Sequence, residues 1–496
     1  MSGKTFSANL TYNVVGALLP IATSLGTVPF YIHQIGLARY GVVTITWVLL
    51  GYFGFLDFGL SRASANALAK LGHGSSRDRS PVLVTAFCCN LSLGLAGGLL
   101  LYAVGHVVLL HIVKIPDSLM VETRHAYPWM AAMLPLGMLS GVSTGALESR
   151  EKFLMSNVLS SFGTIGGQII PLICAYVIGP SLDVVIPATL LVRLVTVALA
   201  YAIVIKIEWP ISLFDVSLDW VRKLFGYGSW VTVSSLLNPL FDTSNQLIIG
   251  AMLGAASVAI YSVPMNLAQR SQIFATSLSR TLFPRNSRSS HDDAVDVTRR
   301  ATITLLYGFG MVCGPGILLC GPFLRLWIGR HFAVSSEPVA QILMFGAWTN
   351  GVAFLPYGFL QARGKPHVTA IVGVAEIVPF FLVLWFLTTR LGLPGAALAW
   401  TLRVTANCIV LHLLSGCIPD RPWRVLPAVL LMAGSLLIVR VVPMSTVATL
   451  ILAVCLSLAF AILAMILDPI ARGLVLQTTR RFGVLRTTAL SQHDSV

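Results

Sequence analysis

Apolar residues run along this chain in blocks of about 18 or more positions, separated by short polar stretches. A helix crossing the hydrocarbon of a bilayer needs ~20 apolar residues, so blocks of this length read as membrane helices. Fourteen are predicted, at 10–32, 42–61, 81–111, 126–147, 154–179, 184–205, 224–252, 257–283, 301–326, 338–361, 366–390, 394–416, 424–441 and 443–467. The overlong third run predicts a tilt or a break near Gly105. Only Pro443 and its neighbours divide the last two. Lys4 ahead of the first run superficially resembles the start of a secretion signal, but the run is long enough to span and is expected to stay as the first helix.

The pattern then repeats. Gly145-Ala-Leu-Glu-Ser-Arg-Glu-Lys152 and Gly358-Phe-Leu-Gln-Ala-Arg-Gly-Lys365 share Gly, Leu, Arg and Lys at equal spacing, and they stand 213 residues apart. Gly36 and Gly254 differ by 218, and Arg193 and Arg403 by 210. A fixed long period in an apolar chain means two copies of one helical bundle, an arrangement that in membranes usually builds a transporter. Each copy is expected to hold six helices, at 1–206 and 224–416, joined by a cytoplasmic linker at 207–223. An even number of helices returns the chain to its starting side, so the copies are parallel repeats about an axis normal to the membrane. Helices thirteen and fourteen (417–467) fall outside the repeat, and the basic tail at 468–496 is expected to be cytoplasmic and disordered.

Composition agrees with this reading. Charged residues make up 10% of the 496 and hydrophobic ones 56%, against about 25% charged in a soluble protein. The formal net charge of +14 would point to nucleic acid in a soluble chain. Here the basic residues sit mainly between apolar runs, which makes topology the better explanation. With both termini cytoplasmic, 23 of the 33 Lys and Arg fall inside, 7 outside, and Arg193, Arg270 and Arg403 within helices.

No GxxxxGK[ST] or HExxH sequence occurs, and the longest outside connection, near 112–125, is too short for a catalytic domain. A non-enzyme without cofactor is expected. None of the eight cysteines forms a CxxC pair, and His33, His106, His111 and His125 lack ligand spacing, so no metal site is expected.

The informative polar residues are those inside apolar runs, because an ionisable side chain at the bilayer centre costs at least ~2.5 kcal/mol. Arg193 lies about ten residues into helix six and Arg403 about nine into helix twelve, near mid-depth at a rise of 1.5 Å per residue. Facing each other across the bundles, they would form a cationic site. The alternative is that each arginine pairs with a buried carboxylate or carbonyl. Arg270 joins them in the inner half of helix eight. Asp242 follows Asn238-Pro239, a kink that frees backbone carbonyls, and Glu376 lies at a depth similar to Arg403. A carboxylate whose arginine partner moves can take up and release ions, which makes Asp242 and Glu376 coupling candidates. A static ion pair is the competing reading. Asp57 and Arg62 mark the cytoplasmic end of helix two as gating or interface candidates, or simply as its headgroup anchor.

Several short motifs carry a family resemblance. Ser7-Ala-Asn-Leu-Thr-Tyr-Asn13, Ile35-Gly-Leu-Ala-Arg-Tyr-Gly41, Leu56-Asp-Phe-Gly-Leu-Ser-Arg62 and Gln361-Ala-Arg-Gly-Lys365 resemble segments of the Wzx-type polysaccharide (O-antigen and exopolysaccharide) flippases. These belong to the superfamily that also holds multidrug/toxin extruders and lipid II flippases. The resemblance covers about residues 5–416, with the last two helices a common extension. It implies an all-α polytopic fold of two six-helix bundles around a central cavity, working by alternating access. It also implies a substrate, undecaprenyl pyrophosphate-linked oligosaccharide, flipped across the bacterial inner membrane at the expense of a proton or sodium gradient. A polysaccharide polymerase would be the downstream partner, and nucleic acid is not one. A multidrug extrusion antiporter would want acidic and aromatic residues in the cavity, and a lipid II flippase would share the fold and the cavity arginines.

Overall fold

The computed structural model describes residues 3–71, 76–212, 215–235, 237–442, 444–468 and 472, and the side chains of these residues other than 3–18, 76, 110, 227–235, 237–239 and 242. Among the described residues there are helices, turns and no strand. In chain order the helices are α1 (Gly3–Phe53), α2 (Leu60–Leu71), α3 (Ser76–Val107), α4 (Asp117–Ser149), α5 (Phe153–Val177), α6 (Leu182–Ile207), α7 (Leu218–Ser235) and α8 (Leu237–Leu253). Then follow α9 (Ala255–Ser271), α10 (Ile273–Arg288), α11 (His291–Trp327), α12 (Arg330–Ala362), α13 (Pro366–Leu391), α14 (Leu393–Ser415), α15 (Leu426–Val441) and α16 (Thr446–Leu467). The chain is a multi-pass membrane protein.

Eleven of the described helices are long and apolar enough to cross a bilayer, against fourteen apolar runs. The difference has a local cause. Runs one and two form the single helical path α1, bent at Gly36 (φ 80°, ψ 160°). Run eight is divided into α9 and α10, of 17 and 16 residues, while run seven is described as α7 and α8 on either side of residue 236, which lies outside the described residues. The overlong third run breaks just past Gly105, where a π turn at Val108–Ile112 ends in the Val113 N–H to Val108 carbonyl bond of 2.8 Å. The tail lies outside the described residues except for Asp468 and Arg472.

Two compact units divide at Ile260 and Tyr261. In the first, α4 packs on α2, α3 and α6, and α5 on α1 and α6. Helices α7 and α8, which the sequence repeat counts with the second bundle, pack here on α1, α2 and α3. The reason is apolar. Leu224 of α7 is buried with Leu60, Ala63, Ala86 and Val142, and the Phe225 ring stands 6.2 Å from that of Phe58.

In the second unit α11, α12, α14 and α16 form the centre, around the fully buried Tyr307, Phe309, Trp348, Trp400 and Phe460. Gly310 and Gly314 of α11 leave the groove that Phe460 of α16 fills. A Cβ at Gly314 would stand 2.9 Å from the ring, and one at Gly310 closer still. Small residues four apart let membrane helices approach closely where no hydrophobic force drives them together. The helices beyond the repeat are therefore part of this unit's core.

The duplication is visible in the backbone. Helices α4 and α12 are each 33 residues long, offset by 213. Each ends in the same turn, with Lys152 N–H bonding Leu147 O at 3.0 Å and Lys365 N–H bonding Leu360 O at 2.9 Å. The middle residue is left-handed in both, Glu151 at φ 56° and Gly364 at φ 71°. Gly36 and Gly254 likewise share a positive φ, 80° and 90°, at the break after the first helix of each repeat. A side chain in the left-handed region costs roughly 1–2 kcal/mol. Glu151→Gly is therefore expected to raise stability by about 1 kcal/mol and Gly364→Glu to lower it by a similar amount, read from denaturation midpoints in detergent.

Candidate functional site

A cavity of about 530 Å³ opens inside the first unit, between α1, α4, α5 and α6. Its lining follows helical periodicity. Val185, Thr189, Arg193, Thr196 and Ala200 of α6 share one face, and so do Ser156, Ser160, Gly163, Thr164 and Gly167 of α5. From α1 come Ser24, Thr27 and Tyr31 before the bend and Tyr40, Thr44 and Trp47 after it, while α4 adds Ser140, Ser143 and Thr144. Thirteen of the 25 lining residues carry a hydroxyl. Arg193 is charged, and no lining residue is acidic.

Most of these hydroxyls have already used their proton. Thr189 donates to Val185 O at 2.8 Å, Thr196 to Val192 O at 2.8 Å, Thr44 to Tyr40 O at 2.9 Å and Thr164 to Ser160 O at 2.9 Å. Such back-bonding leaves the oxygen lone pairs as acceptors, suited to a ligand rich in hydroxyl donors. Gln168 ties the α1 and α5 walls together. Its side-chain oxygen accepts from Thr27 at 2.9 Å, and its carbonyl from Tyr31 at 2.8 Å.

Arg193 is the electrostatic centre of this cavity. Its guanidinium carbon lies 5.9 Å from the Trp47 ring centroid, and among the described residues no carboxylate bonds it. The guanidinium occupies the notch left by Gly137 of α4, where a Cβ would come within 2.6 Å of Nη2. A half-buried cation with an aromatic neighbour and no counter-ion is poised for an anion from outside the chain.

Arg403, its partner in the repeat, is held differently. Its Nη1 lies 3.5 Å from Glu376 Oε2, and its guanidinium carbon 5.4 Å from the Phe380 ring centroid. The second Glu376 oxygen accepts from Asn407. Arg270 sits half-buried in the last turn of α9, just before the break that leads to α10. Asp57 caps α2, accepting from Ser61 N at 3.2 Å and Ser61 Oγ at 2.9 Å, while Arg62 is exposed. The Asp242 side chain lies outside the described residues.

Sequence reasoning missed one buried network. Arg79, counted as a loop cation, is fully buried and bonds Glu208 at 2.9 Å, Leu68 O at 2.7 Å and Ser149 Oγ at 2.6 Å. Arg150 reaches the other Glu208 oxygen at 2.7 Å. The ends of α2, α3, α4 and α6 meet there. Burial pushes the Glu208 carboxyl up, but the hydrogen bonds from Arg150 and Arg79 outweigh it and hold the group below its ordinary value. The available signal was two arginines and one glutamate flanking apolar runs, a pattern that topology alone also explains.

Comparison with known proteins places this arrangement. The putative O-antigen transporter of Shigella flexneri is 28% identical over 410 residues, covering 82% of this chain and 96% of that protein. Among solved structures, an inward-closed lipid II flippase MurJ aligns at a TM-score of 0.67 and 15% identity, over 94% of this chain and all of that one. An inward-facing multidrug resistance MATE transporter of the MOP superfamily aligns at 0.67 and 15% identity, over 84% and 98%. At such identity the two structures show a shared fold. The polysaccharide biosynthesis protein family matches residues 4–290, more than half of the chain. This chain belongs to that family.

Proposed function

We propose that this protein flips a polyprenyl-pyrophosphate-linked oligosaccharide from the cytoplasmic to the periplasmic leaflet of the bacterial inner membrane, by alternating access. The observation that carries the reading is Arg193, a cation with no carboxylate partner among the described residues, in a cavity lined by hydroxyls. A pyrophosphate is a concentrated anion, and moving it through hydrocarbon requires a fixed cationic donor in a polar cavity. Glycan hydroxyls suit the acceptor-rich walls, while the lipid tail stays in the bilayer. Membership of the family and likeness to an O-antigen transporter support the same substrate class. Export of cations by multidrug antiport would want acids along the cavity, and none lines it among the described residues.

In this reading undecaprenyl pyrophosphate is the carrier, both termini are cytoplasmic, and a polymerase receives the flipped unit. The test is reconstitution of the full chain in proteoliposomes with undecaprenyl pyrophosphate-linked oligosaccharide. Glycan newly accessible to a membrane-impermeant oxidant or lectin reports flipping. Equal glycan exposure with and without the protein ends the proposal.

Coupling to a proton or sodium gradient falls to Glu376 or Asp242. Glu376 already shares its charge between Arg403 and Asn407, so its occupancy follows any movement between α13 and α14. Glu376→Gln or Asp242→Asn is expected to leave flipping insensitive to the gradient, measured by collapsing the gradient with an ionophore during the proteoliposome assay. Unchanged ionophore sensitivity in both variants would remove the pair from the coupling mechanism.

A further inference from the structure

The two units carry one arginine in two settings, and the repeat register says which positions make the difference. Helices α4 and α5 correspond to α12 and α13 at a spacing of 213 residues, as the matched turns require. In that register Glu376 corresponds to Gly163, and Asn350 to Gly137. Arg193 and Arg403 stand 210 apart because the connection before them shortens from four residues, 178–181, to Gly392 alone.

The second unit fills both positions. Glu376 lies 3.5 Å from Arg403, and Asn350 bonds Gln272 Oε1 at 3.2 Å. The first unit has glycine at each. Gly137 admits the Arg193 guanidinium, and Gly163 lines the same cavity as Arg193. A Cβ at Gly163 would stand 3.0 Å from Thr196 Cγ2, one turn along α6 from Arg193. A carboxylate carried there would reach the guanidinium as Glu376 reaches Arg403.

We infer that Gly163 is the specificity-determining position of the cavity. By carrying no acid where the sister repeat carries Glu376, it reserves Arg193 for an oxyanion of the ligand. That the oxyanion is the pyrophosphate of a lipid-linked oligosaccharide rests on the function proposed above. The cation-holding role of glycine at 163 rests on the internal comparison alone. Arg403, already neutralised, is a structural cation in this scheme.

The experiment compares Gly163→Glu with Gly163→Gln, equal in bulk and different in charge. Both are made in the full chain and assayed in proteoliposomes and in detergent. The added bulk acts on both variants alike, so the Gln variant is the reference, and flipping by the Glu variant is expected at least ~tenfold below that of the Gln variant, as for a charge pair in a desolvated site. Inorganic pyrophosphate is expected to raise the unfolding midpoint of wild type and of the Gln variant, and to leave that of the Glu variant unmoved. Equal flipping and equal pyrophosphate response in the two variants overturns the inference. If neither variant folds, Thr196→Glu against Thr196→Gln makes the same comparison from α6, and the same outcomes support or overturn the inference. A wild-type protein that binds pyrophosphate with this charge dependence, yet flips no lipid-linked oligosaccharide, supports the inference and sinks the proposed function.

Discussion

Arg193→Ala is expected to abolish glycan flipping and surface polysaccharide while the protein reaches the membrane in normal amount. The two halves of this outcome have separate causes. Removing a buried cation from α6 makes that helix cheaper to insert, by at least ~2.5 kcal/mol on insertion scales, so lost expression is not the expected route. Removing the cavity's charged donor leaves a desolvated anion unpaired, a loss of about 2–5 kcal/mol, or roughly 30-fold to several thousand-fold in rate. Arg193→Lys keeps the charge and loses the planar fork, so it is expected to retain part of the activity. The measurement is surface polysaccharide in a deletion host, normalised to immunodetected protein in the membrane fraction. Full export by Arg193→Ala would remove Arg193 from the mechanism. Arg403→Ala acts on different physics, because it strands Glu376 between α13 and α14 and lowers stability along with any effect on transport.

The largest stability effect is expected at Glu208. This carboxylate is 2% exposed and sits between Arg79, fully buried, and Arg150. Glu208→Ala leaves two guanidinium groups facing each other without a counter-charge, a loss of about 3–5 kcal/mol. The expected readout is a fall of roughly 10 °C in the unfolding midpoint of the purified protein, at ~2–4 °C per kcal/mol. Changing Arg79 to Met together with Glu208→Ala is expected to recover part of the loss, because an apolar replacement needs no partner. The pH dependence has one sign. The folded-state value of Glu208 lies below the unfolded one, so its contribution is complete above the ordinary carboxylate range and is lost as pH falls through the lowered folded value. An unchanged midpoint in Glu208→Ala would mean that water reaches the network.

Much of the fold was legible because the bilayer imposes its own length on every element. The octets ending at Lys152 and Lys365 marked helix ends that the structure places after Ser149 and Ala362, and they marked the repeat itself. Run eight was opaque, since an apolar composition continues across the break at Gln272 between α9 and α10. The site was half legible. A lone arginine in an apolar run is conspicuous, so Arg193 and Arg403 both stood out. Their different fates were not visible, because they depend on residue 163, a glycine indistinguishable in sequence from any other helix glycine. The serines and threonines of the cavity could have been found, as Ser156, Ser160 and Thr164 recur at four-residue intervals in α5. Arg79 misled through its position, since a basic residue just before an apolar run reads as a topology signal whatever it touches.

The Arg79–Glu208 bond also fixes an order of events during synthesis. Its partners are 129 residues apart, so at about 5–20 residues per second the ribosome needs roughly 6 to 26 s after making Arg79 to supply its carboxylate. Through that interval α3 and α4 have been made while the joint that fastens their ends is still incomplete. The first unit can lock only once α6 has been threaded and residue 208 has cleared the exit tunnel. A nascent chain arrested before that point is therefore exposed to proteases at the very ends that the finished molecule buries.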